Sequence, residues 1–213
     1  MEATRILAIR HGETDLNVGR RIQGQLDIPL NDRGRWQAER MASALAGEDL
    51  AAVYTSDLQR AFATAEMLAR ARGAPLHAAS GLRERAFGSF EGATFDEIAA
   101  RWPQANLSWR RRDPDFGPPG GETLAAFYAR SVSTAEQLAA LHQGQTIALV
   151  AHGGVLDCLY RAAARIDLAA PRTWQLGNAS INRLLWSAQG FALVGWSDGA
   201  HLERPEDAAA EGG

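Results

Sequence analysis

Thr4-Arg5-Ile6-Leu7-Ala8-Ile9 runs without a break into Arg10-His11-Gly12-Glu13-Thr14. The first six residues form a short, mostly apolar run that reads as a buried strand. Polar residues crowd its carboxyl end, and Gly12 lets the chain turn. A histidine at a strand end is more often structural than catalytic, so the reading depends on whether the rest of the chain repeats the arrangement.

It does. Thr146–Ala151 (TIALVA) is a second continuous apolar strand, ending at His152-Gly153-Gly154. Between the two, residues 31–46 carry Trp36, Met41 and Leu45 at helical spacing, with Gly47 as the C-terminal cap. Residues 52–55 (AVYT) form a strand, and Ser56 then caps a helix over 57–72 closed by Gly73, which puts Arg60 in its first turn. Thr94 and Glu97 have the form of a capping box, opening a helix to about Arg101 that Pro103 limits. Residues 110–121 (RRRDPDFGPPGG) read as a long surface loop able to cover a pocket. Helices follow over 123–143 and 155–165, then strands over 180–187 and 191–196 joined by Gln189-Gly190. This alternation predicts an α/β fold, a three-layer α/β/α arrangement around a mainly parallel sheet. Residues 1–203 are expected to form one domain with a small helical and loop cap around 90–121, and residues 204–213 a disordered tail. Ligands of such sheets bind beyond the carboxyl ends of the strands, where His11 and His152 both fall.

Composition narrows the function. The formal net charge is -3 and the pI about 6.0, so no global positive field draws the chain to nucleic acid or anionic membrane. A small diffusible substrate fits better. All 22 basic residues are arginine, which excludes a Schiff-base lysine and a P-loop lysine; any phosphate bound here must be held by arginine. The one cysteine, Cys158, forms no internal disulfide and completes no zinc spacing. With no signal-peptide pattern after Met1 and no long apolar span, the expected location is cytoplasmic.

Four separate stretches carry a pattern: RHGET at 10–14, SDLQRAFATAE at 56–66, LRERAFGSFEG at 82–92 and VAHGG at 150–154. Together they resemble the histidine phosphatase superfamily, the phosphoglycerate mutase-like fold, from Thr4 to about Leu202. QGQLD at 23–27, GSFEG at 88–92 and GGET at 120–123 look like its small bacterial phosphatase branch. The resemblance implies that His11 accepts the phosphoryl group, that Arg10, Arg60 and His152 bind phosphate, and that Glu84 is the proton donor. It also implies that Asn17, Gln23, Gly24 and Gly153 lie close to the substrate. The chemistry suits these residues. A neutral imidazole attacks phosphorus in line while guanidinium forks hold the equatorial oxygens, which requires neither metal nor cofactor. The implied partner is a small phosphomonoester, with the chain a monomer or homodimer.

Two other readings stand beside this one. A mutase would return the phosphoryl group to a bound product, but mutases of this family carry a Tyr and a Lys where this chain has Phe87 and Phe95. A binding module without turnover would be marked by an altered His or Glu, and His11, Arg60, Glu84 and His152 are all present. Glu13 and Thr14 fit a turn role and substrate contact equally and are left out of the site; Arg110-Arg111-Arg112 is read as a solvated charge run ahead of contact with an anionic substrate; and His77, His142 and His201 receive no role. The aromatics Phe87, Phe90, Phe95, Trp102, Trp109 and Phe116 either line a substrate pocket or pack the cap, and substrate choice is assigned to residues 95–121.

Overall fold

A computed structural model of the chain describes residues 2–203. Within them six strands form one sheet: β1 (Thr4–Arg10), β2 (Ala52–Thr55), β3 (Leu76–Ala78), β4 (Thr146–Ala151), β5 (Ile181–Ser187) and β6 (Gly190–Asp198), in the order β3-β2-β4-β1-β5-β6. The first four run parallel; β5 is added antiparallel beside β1, and β6 pairs antiparallel with β5 at the edge. The helices are α1 (Asp15–Val18), α2 (Asp32–Ala44), α3 (Gln59–Arg72), α4 (Phe95–Arg101), α5 (Pro103–Arg110), α6 (Leu124–Ala140) and α7 (Gly153–Ala164).

Side chains alternate between the two faces of a strand, and the core follows that period. Ile6 and Ala8 of β1 pack with Ile147 and Leu149 of β4, Phe127 and Ala135 of α6 and Leu156 of α7. Leu7 and Ile9 face the other way, onto Ala148 and Val150, Met41 of α2 and Ala65 and Leu68 of α3. Every residue of β4 is therefore buried, which is why TIALVA is apolar throughout rather than alternating. The result is the three-layer α/β/α arrangement read from the sequence.

Several boundaries differ. Helix α3 begins at Gln59 with Leu58 as its N-cap; Ser56 is not the cap, although its Oγ accepts the Leu58 N–H at 3.3 Å. The Gln59 N–H instead donates to the Asp27 carboxylate at 2.7 Å, so the first turn of α3 is satisfied from a distant loop. Helix α4 ends at Arg101 before Pro103, as read, but Pro103 then opens a further helix, α5, in whose first turn its missing N–H removes no bond. Helix α2 is capped at Leu45 rather than Gly47. The capping box forms as read, the Glu97 N–H donating to Thr94 Oγ1 at 3.2 Å and the Thr94 N–H to Glu97 Oε2 at 2.9 Å. Residues 204–213 lie outside the described residues.

A third hydrophobic cluster stands apart from the sheet. Phe90, Ala93 and Ile98 are its buried centre, with Phe87, Trp102, Trp109 and Phe116 packed around them. Arg112 ties this segment down, donating to Asp157 Oδ2 of α7 and to the Leu168 carbonyl, both at 2.8 Å. Arg110 and Arg111 are exposed, so the solvated reading holds for them and not for Arg112.

Candidate active site

Strands β1 and β4 are neighbours in parallel register, Arg10 opposite Ala151, so the residues that follow them are brought side by side. His11 and His152 are 3% and 0% exposed, with ring centroids 5.1 Å apart. His11 Nδ1 lies 2.7 Å from the Gly12 carbonyl oxygen. A carbonyl only accepts, so Nδ1 carries the hydrogen and Nε2 keeps its lone pair. The backbone here is held from three sides: the Gly12 N–H donates to Thr64 Oγ1 at 3.1 Å, Asn178 Nδ2 to the His11 carbonyl at 3.0 Å, and the Ala179 N–H to the Arg10 carbonyl at 3.0 Å. A side chain at position 12 has no room, since a Cβ there would lie 2.3 Å from the Gly34 oxygen.

Arg60 is completely buried, its two terminal nitrogens donating to the carbonyls of Leu26 and Gly24 at 2.7 Å each. It is a fixed donor and forms no ion pair with Glu84. Arg10 donates to the Leu176 carbonyl, and burial pulls its guanidinium down to about 10, still charged at neutral pH. Among the described residues five buried side-chain nitrogens have no protein partner: Arg10 Nε, Arg60 Nε, both ring nitrogens of His152, and Nε1 of Trp174, which lines the same cavity. Each such group costs about 1–3 kcal/mol if it stays unmatched. Their gathering around one lone-pair nitrogen is what an anion site requires.

Glu84 faces this group from the loop after a 3-10 turn at Ser80–Leu82. Its Oε2 accepts the Gly154 N–H at 2.9 Å and its Oε1 the Arg85 N–H at 2.8 Å. A Cβ at 154 would lie 2.1 Å from Glu84 Oε1, which explains the second glycine of HisGlyGly. Arg130 of α6 holds the loop itself, donating to the carbonyls of Gly81 at 2.8 Å and Arg83 at 3.0 Å while pairing with Glu122, whose carboxylate accepts the Ala86 N–H. Arg130 thus positions the carboxyl without entering the pocket. Arg130→Met should lower turnover of an ester with a poor leaving group by about 10²-fold, and of one with a good leaving group much less, as a misplaced acid does; equal losses on both would mean general unfolding.

Arg10, His11, Asn17, Gln23, Gly24, Arg60, Glu84 and Gly153 all line one cavity of about 700 Å³, with His152 directly behind His11. Asn17 also works in the turn, its Oδ1 accepting the Thr14 N–H at 3.1 Å, and Gln23 presents a buried Oε1 without a partner. Thr14 caps α1, and the Glu13 N–H donates to Gln37 Oε1; neither lines the cavity, which favours the turn role of the two left open. Sequence reading missed Arg172, Trp174 and Gln175, which reach the cavity from the stretch before β5. No motif or periodicity marks them; only the fold brings them here. His77 and His142 pack against Tyr54, away from the site. Among the described residues, no group of three or more His, Cys, Asp or Glu is placed to hold a metal ion.

Burial, reinforced by the neighbouring guanidinium charges, holds both His11 and His152 well below the ordinary imidazole range. His11 is therefore neutral at neutral pH. The same shift fixes a pH dependence of stability. The unfolded chain takes up these protons near pH 6.5 while the native chain resists, so stability is full above about pH 6.5 and falls below it. The thermal midpoint should drop between about pH 7 and about pH 5.5, above the carboxylate range, and His152→Gln should flatten the drop. His11 and His201, both lowered by burial in the same direction, would leave a residual slope. An unchanged profile in His152→Gln would show that His152 is not the buried neutral group.

Residues 6–199 match the family model described as histidine phosphatase superfamily (branch 1). The chain is 37% identical over 208 residues to a glucosyl-3-phosphoglycerate phosphatase of Mycobacterium tuberculosis, covering 92% of this chain and 93% of that one. It is 37% identical over 204 residues to a metal-independent phosphoserine phosphatase of Arabidopsis thaliana, covering 94% and 84%. Among solved structures it is similar to Bacillus stearothermophilus YhfR, with TM-score 0.87 at 33% identity over 94% of this chain and 100% of that one.

Proposed function

The chain belongs to the histidine phosphatase superfamily, and on that premise we propose that it hydrolyses a small phosphorylated metabolite at His11 without help from a metal. The observation that carries this is the neutral, lone-pair Nε2 of His11 beside unpartnered nitrogens of Arg10, Arg60 and His152. Nε2 attacks phosphorus in line; the N–P bond forms as the ester P–O bond breaks, and the guanidinium groups stabilise the equatorial oxygens. Glu84 gives its proton to the departing alkoxide. As carboxylate it then takes a proton from the water that attacks phosphohistidine, and the N–P bond breaks to release phosphate. His152 adds a donor, and the N-terminal ends of α3 and α7 add positive dipole ends, to the same place.

Phe87 and Phe95 line the cavity where the resemblance places a Tyr and a Lys in mutases, which supports transfer to water over return to a bound product. The relatives' names support a phosphorylated three-carbon acid or its glycoside as the kind of substrate. Residues 2–203 are read as one domain with residues 90–121 as its cap, and the buried Cys158 suits a reducing, cytoplasmic setting.

The test is phosphate release from p-nitrophenyl phosphate and a panel of sugar phosphates, phosphoglycerates and nucleotides, with EDTA present, beside a phosphoglycerate mutase assay. Release that survives EDTA, with labelled phosphate mapping to His11 after rapid quenching, is the expected result. Label on another residue, or interconversion of phosphoglycerates without release, would overturn it.

A further inference from the structure

Trp174 lies in the stretch between α7 and β5 and lines the phosphate cavity. Beyond Glu84 a second chamber of about 670 Å³ adjoins that cavity, sharing Glu84, Phe87, Phe95, Gly154 and Arg172 with it, and Trp174 is not one of its walls. The indole therefore stands at the phosphate end of the site. Its Nε1 is buried and has no acceptor among the described residues. A buried N–H left unmatched is destabilising, and the cavity is where an acceptor for it can enter.

The ring is held in place while its N–H stays open. Tyr160 of α7 stacks on it, ring centres 4.1 Å apart and planes at 20°, and the Arg161 guanidinium lies 4.8 Å from the centre of the indole. Arg161 is itself fixed: it donates to Asp157 Oδ2 at 3.0 Å and to the carbonyls of Asp167 at 2.5 Å and Ala170 at 2.9 Å, which secures the chain just ahead of Trp174. On the other side of Trp174 in sequence, the Gln175 carbonyl accepts the Trp196 indole N–H at 3.0 Å and the Leu176 carbonyl accepts from the Arg10 guanidinium. Trp196 meets the same Tyr160 ring edge-on and uses its N–H within the fold, whereas Trp174 does not. The stretch is thus tied directly to an arginine of the phosphate pocket, where Arg10 Nε and Arg60 Nε are also buried without an acceptor. One anion with several acceptor oxygens satisfies all three donors. An indole N–H only donates and carries no charge, so it adds a hydrogen bond without adding to the guanidinium charges that already lower the basicity of His11.

We propose that Trp174 is a further residue of the catalytic pocket, its indole N–H donating to an oxygen of the bound phosphoryl group. The proposal rests on the phosphatase reading above. Trp174→Phe keeps an aromatic ring for Tyr160 and Arg161 and removes the donor. It should weaken binding of inorganic phosphate by about tenfold, as loss of a hydrogen bond to an anion does, and lower kcat/KM for p-nitrophenyl phosphate about as much, with the thermal midpoint in the absence of phosphate little changed. The N–H itself is read by nuclear magnetic resonance on protein labelled with nitrogen-15 at the indole nitrogens. The signal missing from Trp174→Phe, or from Trp174→Leu should the first variant fold poorly, belongs to Trp174. In the wild type that signal should move downfield as phosphate is added, saturate with the binding curve and exchange with solvent more slowly. A Trp174 signal that does not move downfield at saturating phosphate would overturn the proposal, even if the variant loses affinity, because packing alone would then be its role. A folded Trp174→Phe that binds phosphate as tightly as the wild type would overturn it too. His11-dependent hydrolysis of p-nitrophenyl phosphate beside either result confines the failure to Trp174, whereas a wild type that neither binds phosphate nor hydrolyses the ester would overturn the phosphatase reading along with it.

Discussion

His11→Ala should reduce kcat/KM for any phosphomonoester by at least about 10⁴-fold, the range lost when a covalent nucleophile is removed. The ring is held at Nδ1 by the Gly12 carbonyl, so Nε2 has one orientation, and no other imidazole can take its place. His152, its ring centre 5.1 Å away, is completely buried and is left to the phosphate oxygens rather than to phosphorus. The variant should stay folded, because Arg10, His11 and Gly12 are held by backbone bonds that Ala retains. It should still bind inorganic phosphate, through Arg10, Arg60 and His152, and gain thermal stability from it by mass action. Phosphate release and a thermal shift with added phosphate check both halves. Release surviving in a pure sample would remove His11 as the nucleophile; loss of the phosphate shift would mean that the variant has lost the pocket as well.

Glu84→Gln should behave differently with different substrates. Gln is nearly isosteric and its carbonyl oxygen can still accept the Gly154 N–H, so the loop keeps its place. What it loses is the proton. Formation of the phosphoenzyme from an alkyl ester should slow by about 10²–10⁴-fold, the usual worth of a positioned acid, while p-nitrophenyl phosphate, whose leaving group needs little protonation, should be affected much less at that step. Hydrolysis of phosphohistidine should slow for every substrate, since the same carboxylate activates water. Labelled phosphoenzyme should therefore accumulate from p-nitrophenyl phosphate. An identical slowing for both kinds of ester, with no accumulation, would leave Glu84 a structural residue.

Residues beside strands β1 and β4 were legible in the sequence because each lies within a local pattern: an apolar run, then a polar terminus with glycine. Arg60 and Glu84 were legible because helix and loop signals adjoin them. The unread parts are those settled at long range. Asp27 satisfies the α3 N-terminus across 32 positions, so the nearby Ser56 was taken for the cap. Strand β3 is three residues long and mostly exposed, too little for a period to register. Arg172 and Trp174 come from an irregular stretch that the fold brings to the site through bonds distant in sequence, from the Arg10 side chain to Leu176 and from Asn178 to the His11 carbonyl. The aromatic residues of 87–116 divide their work in a way composition does not reveal: Phe90 is sealed in the cap's core, while Phe87 and Phe95 also border the cavities.

The order of the sheet sets a schedule for the newborn chain. β1 leads into His11 at its end and lies between β4 and β5, with Arg5 opposite Thr146 on one side and Thr4 opposite Trp186 on the other. A ribosome making the protein from its N-terminus releases this apolar strand first and both of its partners last. Until residues 146–151 emerge, Ile6, Leu7, Ala8 and Ile9 have no edge to join, and pairing across so much sequence is slow and exposed to aggregation. A chain stalled before that point would carry the RHGET motif and the Glu84 loop, yet no phosphate site. Late synonymous or coding changes that slow β4 would therefore be felt first as lost soluble yield, before any change in catalysis by the molecules that finish.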